Sequence, residues 1–142
     1  MHEALVRRLL EFCNTVVDID VASENKAGCG PYACAVLCGR TFVEMHDWFV
    51  ENAPKKSAGV HVASILSCLR AHGMSYKLLH LSGSLQRVAD SSLLLPSVHY
   101  LLVAPDHVVV CCTKMVNERY KGGWVHPREC KNRRVDQVYC VF

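Results

Sequence analysis

The chain has 142 residues, 51% of them hydrophobic and 20% charged. That suits one domain with a single core spanning residues 1–142 and excludes a disordered chain. The net charge is only +3, and its one basic cluster, Lys131-Asn132-Arg133-Arg134, reads as a solvated turn, so no nucleic-acid partner is expected.

Nine cysteines suggest a disulfide scaffold at first. The number is odd, however, and several sit inside apolar runs, as buried free thiols do. Residues Met1-His2-Glu3-Ala4-Leu5-Val6-Arg7-Arg8 carry no apolar signal-peptide core. No apolar stretch approaches the ~18 residues of a membrane span. A reducing, cytoplasmic location without a membrane partner is the expectation. Cys34 and Cys38 are four apart on one predicted helix face and Cys111 and Cys112 are adjacent, but no C-x-x-C pair occurs, so neither metal nor cofactor is expected.

In chain order, Leu5, Leu9, Phe12 and Val16 recur at helical spacing and predict an amphipathic helix over residues 3–17. Asp18 to Ala27 is polar and reads as a loop. Tyr32 to Cys38 is a compact apolar helix closed by Gly39. Thr41 and Glu44 form a capping box for a second helix with Phe42, Met45, Trp48 and Phe49 on its apolar face. A loop over Asn52 to Gly59 leads to a third helix, Val60 to His72, ended by Gly73. Ser75 to Leu81 is strand-like, and Ser84 caps a short helix. Val98 to Val103 and His107 to Cys112 form a hairpin around Ala104-Pro105-Asp106. A further strand runs through Met115 and Val116, Lys121-Gly122-Gly123 is a turn, and Val135 to Phe142 closes the sheet. Helices first and an antiparallel sheet second make an α+β fold.

The stretch with chemistry in it is Gly28-Cys29-Gly30-Pro31. Pro31 is tolerated in a first helical turn, because its missing N–H would be an orphan there. The flanking glycines clear side chains from around Cys29. Cys29 thus falls at a helix N-terminus, where free N–H groups favour negative charge and can hold a developing oxyanion. Asn25, four residues earlier, offers a side-chain amide for the same purpose. A nucleophilic cysteine needs a base, and usually a third group that orients the base. His107 begins a very apolar strand just after a tight turn. A turn at Thr113-Lys114 and a returning strand would bring Asn117 or Glu118 back beside it. His99 begins the preceding strand and is the alternative base; Asp106 lies within reach of either histidine. His46, His61 and His72 read as surface or capping residues.

Cys29-Gly30-Pro31 followed by small apolar residues and then Gly39-Arg40-Thr41-Phe42-Val43-Glu44-Met45-His46 resembles the papain-like cysteine peptidase superfamily. It is most similar to compact C39-like peptidases and to small phage, bacterial and viral papain-like proteases. The resemblance runs from about Asn25 to the C-terminus. It implies a papain-like fold with Cys29 as nucleophile on a helix N-terminus, His107 as base, and Asn117 or Glu118 as third residue. The glutamine that commonly precedes the cysteine in that superfamily has no counterpart in Ser23-Glu24-Asn25-Lys26-Ala27; Asn25 or the Cys29 backbone would serve instead. The implied function is thiol-dependent amide hydrolysis of a polypeptide substrate, with the protein itself, a host protein or a ubiquitin-like conjugate among them. Two other readings are a papain-like interaction module without activity, and a redox or metal protein that uses its many thiols.

Overall fold

The computed structural model describes residues 28–52 and 62–142. The expected helix at 3–17, the loop carrying Asn25 and most of the loop after Asn52 lie outside these. Among the described residues three helices come first: α1 (Cys29–Cys38), α2 (Phe42–Asn52) and α3 (Val62–Ala71). The rest is mostly β: β1 (Tyr76–Leu79), β2 (Gly83–Ser84), a short α4 (Leu85–Ala89), β3 (His99–Ala104), β4 (His107–Cys112), β5 (Met115–Glu118), β6 (Gly123–Val125), β7 (Arg134–Val135) and β8 (Gln137–Val141). Six strands form an antiparallel sheet in the order β1-β8-β3-β4-β5-β6, and β2 pairs with β7 separately. The fold is α+β, with the helical part N-terminal to the antiparallel sheet.

Helix α1 is apolar nearly all round, and such a helix must be enclosed. It packs against α2, α3 and β4, and residues Gly30 to Leu37 are buried. Gly39 stops it in the left-handed conformation, φ 65°, which puts its N–H on the Ala35 carbonyl. Gly30 has a different role from the one its sequence suggested. A Cβ there would lie 3.4 Å from both Ile65 and Phe49, so its bare side faces the neighbouring helices and lets them approach. The Thr41 hydroxyl accepts from the Glu44 N–H at 3.2 Å, which is one arm of the expected box. The Glu44 carboxylate pairs instead with Arg40, at 3.7 Å.

Strands β3 and β4 are buried almost throughout because both sheet faces are covered. Leu101, Val103, Val108 and Val110 face the three helices. Tyr100, Leu102, Val109 and Cys111 face Leu85, Val88 and Ala89 of α4 and Val135 of β7. The eight described cysteines are free thiols, and Cys34, Cys68 and Cys111 fill core space like small apolar residues. No helix among the described residues is long and apolar enough to cross a membrane.

The β4–β5 connection is a two-residue turn in which Thr113 and Lys114 both have positive φ, 50° and 63°. Hairpin turns of this hand prefer glycine at the second position, since a Cβ there is strained. Lys114 is also ion-paired with Asp90 on the surface, a contact of small worth when exposed. Lys114→Gly is therefore expected to stabilise the fold by about 0.5–1 kcal/mol, after the extra entropy of glycine in the unfolded chain is offset. Urea unfolding would check it, and a lower midpoint would refute it.

Candidate active site

Cys29 is the first residue of α1, and Gly28 before it supplies no side-chain cap. The Tyr32 N–H already bonds the Gly28 carbonyl and Pro31 has no N–H. The backbone N–H groups of Cys29 and Gly30 are thus the donors that a helix start leaves free of intrahelical partners. Cys29 is only partly buried, and it packs against the helix-side cluster.

His107 opens β4, directly after the two-residue turn Pro105-Asp106, and pairs with Ala104. Its Nε2 meets both carboxylate oxygens of Glu118, at 3.0 and 2.9 Å. Both side chains are buried. The Cys29 sulfur lies near enough to the same imidazole to act on its charge. Burial pulls the His107 pKa down. The hydrogen bonds and charges of Cys29 and Glu118 outweigh it and push the value up to about 9. The ring of Tyr120 stacks on the imidazole at 6.0 Å between centroids, and the Tyr120 N–H is 3.5 Å from Glu118 Oε1.

The alternation of strand side chains decides between the two candidate third residues. Asn117 pairs with Val110 in the β4–β5 register, so it shares the helix-facing side with Val108 and Val110. There its Oδ1 accepts from the Tyr32 hydroxyl, and its Nδ2 has no hydrogen-bond partner among the described residues. Glu118, one residue on, turns to the face that His107 shares with Val109. Asn117, expected as the first candidate to orient the histidine, instead ties the sheet to α1. A two-residue turn at Thr113-Lys114 fixes this parity, and that turn was legible in the sequence.

His99 does not join the cluster. It pairs with Cys112, five residue steps from the His107 end of the hairpin, or about 17 Å at strand rise. Its ring sits edge-on to Trp124, and burial lowers its pKa. Asp106 contacts neither histidine; its carboxylate is 3.7 Å from Arg133 Nε. Arg133 is the residue that sequence reasoning missed. Lys131 and Arg134 of its basic cluster are exposed as expected, but Arg133 turns inward and its Nη1 comes within 4.0 Å of Glu118 Oε2. Asn25 lies outside the described residues. A groove of about 420 Å³ lined by Gln86, Asp90, Lys114 and Arg128 lies at the other end of the β4–β5 hairpin and takes no part in this cluster.

Among the described residues no group of three or more histidine, cysteine or acidic side chains is arranged to hold a metal ion. The arrangement provides a sulfur at a helix start, a buried imidazole that is cationic at neutral pH, and a carboxylate that orients it. No protein-family model, curated protein or solved structure matches the chain.

Proposed function

We propose that this chain is a cysteine peptidase of papain-like fold, with Cys29 as nucleophile, His107 as acid–base and Glu118 as orienting carboxylate. The observation that carries the reading is His107, clamped by Glu118 through one ring nitrogen at 2.9 Å and close enough to the Cys29 sulfur to feel it. In the attacking form the Cys29 proton has passed to His107. The sulfur attacks the amide carbonyl carbon; a C–S bond forms and the carbonyl electron pair moves onto oxygen. The N–H groups of Cys29 and Gly30 face that charge. Collapse breaks the C–N bond, and the amine leaves with the His107 proton. Water then attacks the thioester, His107 takes its proton, and the acid departs as the thiolate re-forms.

The test is limiting alkylation of the native protein at pH 6, read by peptide mass spectrometry. Burial raises the Cys38 and Cys111 thiols to about 12 and also raises Cys34, Cys112, Cys130 and Cys140. Cys29 is expected to label at least ~10-fold faster than any of these, since reactivity follows the thiolate fraction. If it labels no faster, the peptidase reading gives way to an interaction module that keeps its function in a Cys29→Ala variant.

A further inference from the structure

Behind the Cys29–His107–Glu118 line stands a second pair of charges. Arg133 is one-fifth exposed, and its guanidinium spans two carboxylates. Nε lies 3.7 Å from Asp106 Oδ1 and Nη1 lies 4.0 Å from Glu118 Oε2. Its backbone is pinned: the Arg133 carbonyl accepts from the Leu85 N–H at 2.7 Å, where α4 begins. Arg133 and His107 line the same small cavity, together with Leu85, Leu102 and Val135. Arginine keeps its charge at any working pH. Glu118 Oε2 therefore faces two cations, His107 at 2.9 Å and Arg133 at 4.0 Å.

We infer that Arg133, braced by Asp106, is a positioning residue that shares the Glu118 carboxylate with His107 and so sets how readily the imidazolium releases its proton. This rests on the peptidase reading, in which His107 must hand that proton to a leaving amine. An imidazolium held too tightly by Glu118 is a poor acid for that step. A nearby cation that competes for the same carboxylate weakens the hold. Asp106, on the exposed turn, takes up part of the Arg133 charge and limits the effect. The other groups facing the pair are the Cys29 sulfur from α1 and the Tyr120 ring after β5, with the Arg119 guanidinium 4.6 Å from the centre of that ring. The Cys130 thiol lies close enough to feel the charges of Glu118 and Arg133 as well as those of Lys121 and Glu129.

The experiment is an NMR pH titration of the His107 ring in the full chain, without substrate. Arg133→Met is expected to raise the His107 midpoint by ~0.5–1 pH unit, and Arg133→Lys by less, because the charge is kept. Asp106→Asn removes an exposed carboxylate and is expected to lower the midpoint by a few tenths of a unit. Arg134→Gln, which breaks the separate surface pair with Asp136, is the control and should leave it in place. A purely structural role would not give opposite signs at Arg133 and Asp106. An unmoved or lowered midpoint in Arg133→Met, or an equal rise in Arg134→Gln, overturns the inference. If Arg133→Met does not fold, an unmoved or raised midpoint in Asp106→Asn does the same. Because the ring is read directly, slow Cys29 labelling with the expected shifts would sink the peptidase reading alone. Fast labelling with unmoved midpoints would sink the role of Arg133 alone.

Discussion

His107→Ala is expected to slow alkylation of Cys29 at pH 6 by ~10²–10³-fold, a rise of about 3–4 kcal/mol in the barrier. In the native site the imidazole is charged well above neutrality, and the Cys29 sulfur lies close enough to feel that charge. Without it, the thiolate depends on the helix N-terminus alone, which is worth no more than a fraction of that difference. The substitution also leaves Glu118 buried beside an empty space, so the rate must be compared with the folded fraction measured by circular dichroism. A folded His107→Ala protein whose Cys29 still labels at the native rate would mean that the imidazole does not activate the sulfur. Labelling of the buried thiols serves as the internal reference, since their access does not depend on His107.

Glu118→Gln is expected to cost about 2–4 kcal/mol of stability near pH 6, because it removes one partner of a buried, hydrogen-bonded charge pair. The pH dependence gives this prediction its sign. The His107 pKa stands at about 9 in the fold against an ordinary value near 6.5 in the unfolded chain. A raised pKa means that the folded state binds the proton more tightly. The stabilisation is fully present below about pH 6.5 and is lost as pH rises to about 9. Native stability should fall across that window by on the order of 2–3 kcal/mol from this one group. In Glu118→Gln the slope should flatten, and the two proteins should converge above about pH 9. Urea unfolding at pH 6, 7.5 and 9.5 measures it. A stability difference that stays constant across the three would show that shape, not charge, is what Glu118 contributes.

The two predictions separate the chemistry of the site from its architecture. The first reads the sulfur through its reactivity; the second reads the carboxylate through its effect on folding. Both run through His107, which is why a strand-end histidine is buried here. A surface histidine would need neither Glu118 on one nitrogen nor the Tyr120 ring across its face.

The sequence by itself determined whatever depends on neighbours along the chain. Gly39 and the apolar run before it set α1, so Cys29 had to fall at its start. Ala104-Pro105-Asp106 and Thr113-Lys114 marked two turns, which put a histidine at the head of β4 and a polar pair near the end of β5; the pairing of Ala104 with His107 then shortens the first to Pro105-Asp106. The order of helices and strands followed from periodicity, and so did the α+β arrangement. The tertiary structure decided everything that depends on which face meets which neighbour. A single step along β5 sends Asn117 to Tyr32 on the helix side and Glu118 to His107 on the other, because strand side chains alternate and a shift of one residue exchanges the faces. His99 and His107 look alike as strand heads, yet antiparallel pairing puts them at opposite ends of one hairpin. Arg133 belongs to a basic cluster that reads as solvated, and only the anchoring of its backbone at the start of α4 turns it toward Glu118. Local signals fix backbone geometry within a few residues; contacts between residues far apart along the chain are fixed by packing, which no local pattern encodes.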